Sequence, residues 1–198
     1  MYDYRSLNSN KQKELLAERK RKKHPWHSPP HLAAGVEFRI VTGVCFEHQK
    51  LLNSPERLAW FADQLLDTIS NLTNRCDAWC VLPNHYHVLV EIADIRCFAK
   101  GLGQLHGRTA YEMNLADHAR GRKVWYRSQD RVMRSDLHYY ASMNYIHNNP
   151  VKHGYVTKWQ DWPYSSAHRY LEMMGREWLL DVWREYPVLN YGEGWDEV

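Results

Sequence analysis

Apolar residues along this chain fall into two spacings that succeed one another. Residues 36–46 are rich in Val, Ile and Phe with few breakers, which predicts a first strand. Ser54-Pro55-Glu56 then reads as a helix start, with Ser as N-cap, Pro at the first position and an acid in the first turn. Leu58, Ala62, Leu65, Leu66, Ile69 and Leu72 follow at helical spacing. Residues 75–82 predict a second strand, and Pro83-Asn84 turns it into a third that ends near Ile92. A second helix is expected over residues 95–116 with Phe98, Leu102, Leu105 and Met113 as its stripe. Gly101, Gly103 and Gly107 weaken it in isolation and lack the GK[ST] of a phosphate loop, so they are assigned to close packing. Residues 123–133 predict a fourth strand. Ser135-Asp136 caps a third helix whose core stripe is Tyr139, Met143 and Ile146. Pro150 limits that helix and puts Asn149 at its end. Beyond Trp159 the pattern supports one short helical piece and an acidic tail at Glu193, Asp196 and Glu197.

The order strand, helix, strand, strand, helix, strand, helix predicts an α+β fold. It is the ferredoxin-like split βαβ, a four-stranded antiparallel sheet with helices packed on one face. N- and C-terminal extensions flank it. The boundaries expected are a basic, Pro-containing arm over 1–35, a catalytic domain over 36–158 and an extension over 159–198. In the arm, Lys20, Arg21, Lys22 and Lys23 form a run that either stays solvated or meets phosphates. The net charge of +3 is too small to prove a nucleic-acid partner by itself. Nine Trp and 13 Tyr supply faces both for packing and for stacking on bases. Arg127, Arg131 and Arg134, beside Trp125 and Tyr126, are candidates to line a single-strand channel. Cys45, Cys76, Cys80 and Cys97 form no CxxC pair and no zinc spacing. With no signal peptide and no membrane-spanning run, they read as reduced thiols of a cytoplasmic protein.

Candidate chemistry sits in two places. In the third strand, His85 and His87 stand two apart and therefore share a face, where two imidazoles can hold one ion. The surrounding Val and Leu predict a strand buried on both sides. At the end of the third helix, Tyr145 and Asn149 stand four apart and share a helix face. If these converge, two imidazoles and one amide oxygen suit Mg or Mn with positions left open for a phosphate. Tyr145 would then be the nucleophile at phosphorus. His147 and Asn148 read as helix-end residues, and Tyr139, Tyr140 and Tyr155 as rival phenols, of which Tyr139 and Tyr155 have no amide at i+4.

At these residues the chain resembles a known family. Pro83-Asn84-His85-Tyr86-His87-Val88-Leu89-Val90 resembles the HUH motif of single-tyrosine transposases, in which U is a bulky apolar residue. Tyr145-Ile146-His147-Asn148-Asn149-Pro150-Val151-Lys152-His153-Gly154 is similar to the tyrosine helix of the REP-associated tyrosine transposases, and Trp162-Pro163-Tyr164-Ser165-Ser166 to their C-terminal signature. Two positions depart from the pattern: Tyr86 carries a hydroxyl at U, and Asn149 stands where self-mobilising members usually have Gln or Glu. The resemblance implies a bacterial, nucleoid-associated enzyme that cuts and rejoins single-stranded DNA at palindromic hairpin repeats. It implies a divalent metal, a 5′-phosphotyrosine, and a monomer rather than a dimer. By position it implies His85, His87 and Asn149 as metal ligands and Tyr145 as nucleophile. Two other readings compete: a ferredoxin-like hairpin-binding protein whose catalysis has lapsed, and a metal hydrolase in which water attacks.

Overall fold

The computed structural model describes Glu14, residues 37–189, Tyr191 and Gly192. The basic run Lys20, Arg21, Lys22 and Lys23 lies outside the described residues. Strands β1 (Glu37–Val44), β2 (Arg75–Val81), β3 (His85–Ile92) and β4 (Gln129–Val132) form one sheet in the order β2-β3-β1-β4. All neighbours are antiparallel. Helices α1 (Pro55–Leu72) and α2 (Ile95–Ala116) make the crossovers β1-α1-β2 and β3-α2-β4. This is the ferredoxin-like arrangement that the hydrophobic pattern predicts.

Alternation along β3 sends Tyr86, Val88 and Val90 to one face and His85, His87 and Leu89 to the other. On the first face lie the crossover helices. Tyr86 meets Phe61 of α1 at 5.5 Å between ring centroids, and Phe61 stacks on Trp125 at 4.8 Å. Ser54 caps α1 by accepting from the Arg57 backbone N–H at 3.3 Å. Between the two helices, a Cβ on Gly101 would fall 2.4 Å from Leu72 Cδ1, so glycine lets α1 and α2 close up. Gly103 and Gly107 have nothing within 4 Å of such a Cβ, so the close-packing assignment holds for Gly101 alone.

The opposite face is covered as well. Helix α3 (Asp136–Lys152) lies on it, with Tyr139 edge-on to Phe38 at 5.3 Å. Helix α4 (Ala167–Glu185) anchors α3 through Asn144, whose Nδ2 donates to the Val182 and Tyr186 carbonyls at 3.1 and 2.8 Å. Two covered faces make β3 the buried strand that its Val and Leu run predicts.

Three boundaries differ from expectation. The fourth strand is only Gln129–Val132. Trp125 joins the sheet through an isolated bridge to Cys45, and Thr42 pairs with Gln129. Between these pairings the β4 side carries one residue more than β1, and that bulge ends the ladder. Helix α3 runs through Pro150 to Lys152, which puts Asn149 inside the helix. Pro150 lies in the last turn, where its missing N–H costs one bond. The end is closed instead by Tyr155 N–H to the Pro150 carbonyl at 2.9 Å and by Gly154 at φ 68. The short C-terminal helical piece is a 19-residue helix, bent at Gly175 (φ 80, ψ 168). Ala167, Leu179 and Val182 of α4 are fully buried, Tyr170 and Trp178 pack partly buried beside them, and the break at Gly175 divides the stripe. Before it, Trp162-Pro163-Tyr164-Ser165-Ser166 runs beside β2: Val81 N–H donates to Tyr164 O, and Ser166 N–H to Trp79 O, each at 2.9 Å.

Candidate active site

The antiparallel register fixes the surroundings of the histidines. Val44 stands opposite His85 and Thr42 opposite His87. The two imidazoles lie 5.0 Å apart, both buried. His85 Nδ1 is 2.8 Å from Asn84 Oδ1, and His87 Nδ1 is 2.8 Å from Thr42 Oγ1. An oxygen at each Nδ1 holds the ring in its orientation toward α3.

Across from them α3 supplies one face of side chains. Tyr145 is 1% exposed, and its ring lies 5.2 Å from that of His87. One turn on, Asn149 Oδ1 is 2.9 Å from His85 Nε2. The Asn149 amide is buried, and its Nδ2 has no hydrogen-bond partner among the described residues. A further turn on, the His153 ring lies 4.9 Å from that of His85. The structure thus brings together Tyr145, His85, His87 and Asn149. Among the described residues no group of three His, Cys, Asp or Glu side chains is placed to hold a metal, so an ion here would use two imidazoles and the Asn149 amide. The Nδ1 contacts and the buried amide fit such a donor set.

The remaining candidates separate. Arg131 stands opposite Ile40 on the histidine face. Desolvation pulls its pKa below the ordinary value, against the nearby Tyr191 and Tyr145 phenols. Arg127 falls in the bulge, and Arg134 lies past β4, just before the cap Ser135. Trp125 is buried and cannot line a channel. His147 points away from the site: its Nε2 is 2.9 Å from Ser166 Oγ, which also accepts from Trp79 N–H at 2.9 Å. Burial pushes the His147 imidazole down to about 3, so it is neutral and structural. Of the rival phenols, Tyr139 donates to Asp77, Tyr140 stacks on Tyr186 at 4.7 Å, and Tyr155 packs on Trp162 at 5.6 Å.

Tyr86 is explained by the other face of the sheet. Its hydroxyl is 2.9 Å from His106 Nε2, and burial pushes His106 down to about 4. With a neutral imidazole as partner, a phenol can stand in the apolar position of the motif.

One contact had no sequence signal. Tyr191 packs 5.8 Å from the Tyr145 ring, and Lys152, whose ammonium lies 5.0 Å from that ring, donates to the Gly192 carbonyl at 3.2 Å. A Cβ on Gly192 would fall 2.3 Å from Tyr145 Cε2. The chain near Gly192 therefore lies directly against the phenol.

No family model matches the chain. It is 34% identical over 95 residues to a protein of Escherichia coli (strain K12) named REP-associated tyrosine transposase, covering 47% of this chain and 54% of that one. A Haemophilus influenzae relative, provisionally given the same name, is 34% identical over 104 residues, covering 46% of this chain and 58% of its own. The chain thus spans just over half the length of these curated relatives. A solved structure of a REP-associated tyrosine transposase bound to a REP hairpin superposes with a TM-score of 0.59 at 20% identity, covering 75% of this chain and 87% of that one. That likeness establishes the fold. Among the described residues, no helix is long and apolar enough to cross a membrane.

Proposed function

We propose that this chain is a metal-dependent single-stranded DNA endonuclease and strand transferase that cuts and rejoins palindromic, REP-type hairpins through a 5′-phosphotyrosine on Tyr145. One observation carries the reading: on one sheet face, Tyr145 meets His87 and Asn149 meets His85. The names of the sequence relatives support it.

In this reading His85, His87 and Asn149 are the residues that would hold Mg or Mn. When bound, the ion polarises the scissile phosphodiester as a Lewis acid. The Tyr145 oxygen attacks phosphorus, the new P–O bond to tyrosine forms, and the bond to the 3′ oxygen breaks, leaving a 3′-OH. A free phenol ionises near ~10, so its proton leaves as the attack proceeds, and the departing 3′ oxygen takes one up, so the exchange consumes no net proton. The Lys152 ammonium, 5.0 Å from the ring centroid, adds favourable charge beside the developing phenolate. Rejoining reverses the step, with a 3′-OH displacing the tyrosine. Substrate would reach the site as unpaired DNA on chromosomal repeats of a bacterial cell, with one copy of the chain acting alone.

The test uses labelled hairpins from the palindromic repeats of the source chromosome, with Mg or Mn, resolved on a denaturing gel. A slow-migrating covalent adduct is expected with the wild type and absent in Tyr145→Phe and His85→Ala. Cleavage without an adduct would replace tyrosine by water as nucleophile. Binding with neither cut nor adduct would identify a hairpin-binding protein without catalysis.

A further inference from the structure

Beyond β1 the sheet carries an unassigned feature on the histidine face. After Val44 the chain turns through Phe46–His48, and two consecutive non-glycine residues take left-handed backbone: Glu47 (φ 53, ψ 31) and His48 (φ 51). Such conformations are unfavourable for L-residues and persist where the surroundings hold them, often beside ligands. Here they hold Phe46 beside Tyr126. Phe46 N–H donates to the Val124 carbonyl at 2.8 Å, and Tyr126 N–H to the Val44 carbonyl at 2.9 Å. Cys45 and Trp125 point into the core, so alternation turns Val44 and Tyr126 to the face of His85.

The two rings pack tilted against each other, 4.9 Å apart at 48°. Tyr126 is 37% exposed. The Lys123 ammonium lies 4.4 Å from the Phe46 ring centroid and 5.3 Å from that of Tyr126. His48 adds a fourth group, 6.5 Å from Tyr126. Val44 separates Tyr126 from His85 in one cross-sheet row, and at ~4.8 Å per strand the Tyr126 backbone is about 10 Å from that of His85. A base close in sequence to a phosphate held over the histidines could reach it.

We propose that Phe46, Tyr126 and Lys123 form a stacking subsite for an unpaired nucleobase of the DNA strand entering the site, with Lys123 meeting its phosphate. Exposed aromatic faces with an adjacent cation are how proteins bind single strands without reading sequence. The subsite rests on the proposed DNA-processing function and adds the place where the flanking single strand is gripped. Its expected contribution follows from base–aromatic stacking, about 1–3 kcal/mol per base, or roughly 5- to 150-fold in affinity.

The experiment uses the full chain and an oligothymidylate of roughly 12 nucleotides, within the usual single-strand site size. The oligonucleotide carries a fluorophore for anisotropy or 2-aminopurine for stacking. Tyr126→Ala and Phe46→Ala should each weaken binding at least fivefold and relieve 2-aminopurine quenching, whereas Tyr126→Trp should retain both. Lys123→Gln should flatten the dependence of log affinity on log salt by about one contact. Circular dichroism melts check that each variant folds; because Tyr126 is exposed, its replacement should leave the melt unchanged. Equal affinity and equal quenching in wild type and Tyr126→Ala would overturn the subsite, as would failure of the wild type to bind the oligonucleotide. The covalent-adduct assay reads the catalytic proposal separately: an adduct with unaltered Tyr126→Ala binding refutes only the subsite.

Discussion

Gly43 and Tyr86 face each other across the β1–β3 register, and replacing either should reveal how the sheet accepts a phenol between the two histidines. A Cβ on Gly43 would lie 2.2 Å from Tyr86 Cε1 and 2.4 Å from Cζ. The ring has little room to yield. Phe61 is 5.5 Å away, Trp125 is 6.0 Å away, and the hydroxyl is tied to His106 at 2.9 Å. Gly43→Ala should therefore cost the upper part of an over-packing penalty, about 3 kcal/mol. Alanine recovers about 0.5–1 kcal/mol of that through its smaller loss of backbone entropy, leaving a net loss of about 2 kcal/mol. Tyr86→Leu alone should cost about 2–4 kcal/mol, from the cavity and from a buried His106 nitrogen left without its partner. In the double variant the clash is gone, because leucine does not reach the space over Gly43. The double variant should then be less destabilised than the sum of the two single losses by about 3 kcal/mol, the clash that leucine removes. Urea unfolding at neutral pH, followed by tryptophan fluorescence and circular dichroism, measures all four corners of the cycle. Additivity within about 0.5 kcal/mol would refute the reasoning, since the ring would not then be what excludes a side chain at position 43.

Three further outcomes follow from the site and its supports. Gly192 has φ 78 and abuts Tyr145, so Gly192→Val should drive the Gly192 backbone off the phenol and raise adduct yield; an unchanged yield would show that this contact does not limit access. Thr42→Val removes the oxygen at His87 Nδ1 and should weaken Mn binding, read by calorimetry, about 10- to 100-fold while the melt in the absence of metal moves little; equal affinity would mean that Thr42 does not orient the ligand. Burial holds His106 down to about 4 and His147 down to about 3, while both ionise near ~6.5 when unfolded. The unfolded chain therefore takes up protons first: stability is full above ~6.5 and falls as pH drops toward 4, each histidine adding up to about 1.4 kcal/mol per pH unit. His147→Gln should flatten that acid limb, and an identical slope would refute the assignment.

Much of the fold was readable because its signals are local. Ser54-Pro55-Glu56 and Ser135-Asp136 announce helix starts by capping chemistry, and each begins where expected. The pairing of His85 with His87 needs only the two-residue period of a strand, and that of Tyr145 with Asn149 only the turn of a helix. What escaped is set by tertiary contact. The bulge that cuts β4 short depends on two pairings with β1 distant in sequence. Helix α4 fully buries only Ala167, Leu179 and Val182 and is interrupted midway at Gly175, so its two halves do not read as one element. The partnership of Tyr86 with His106 crosses from strand to helix and leaves no mark in a motif. The apposition of Gly192 and Tyr145 is likewise invisible, since a glycine near a chain end reads as nothing more than a turn.

Helix α3 lies on the sheet of its own chain, so Tyr145 reaches the histidine pair in cis. For genetics this predicts the absence of complementation. A cell expressing Tyr145→Phe together with His85→Ala would hold both halves of the proposed chemistry, yet no copy would hold them together. Mixing the two gene products should restore nothing at any ratio.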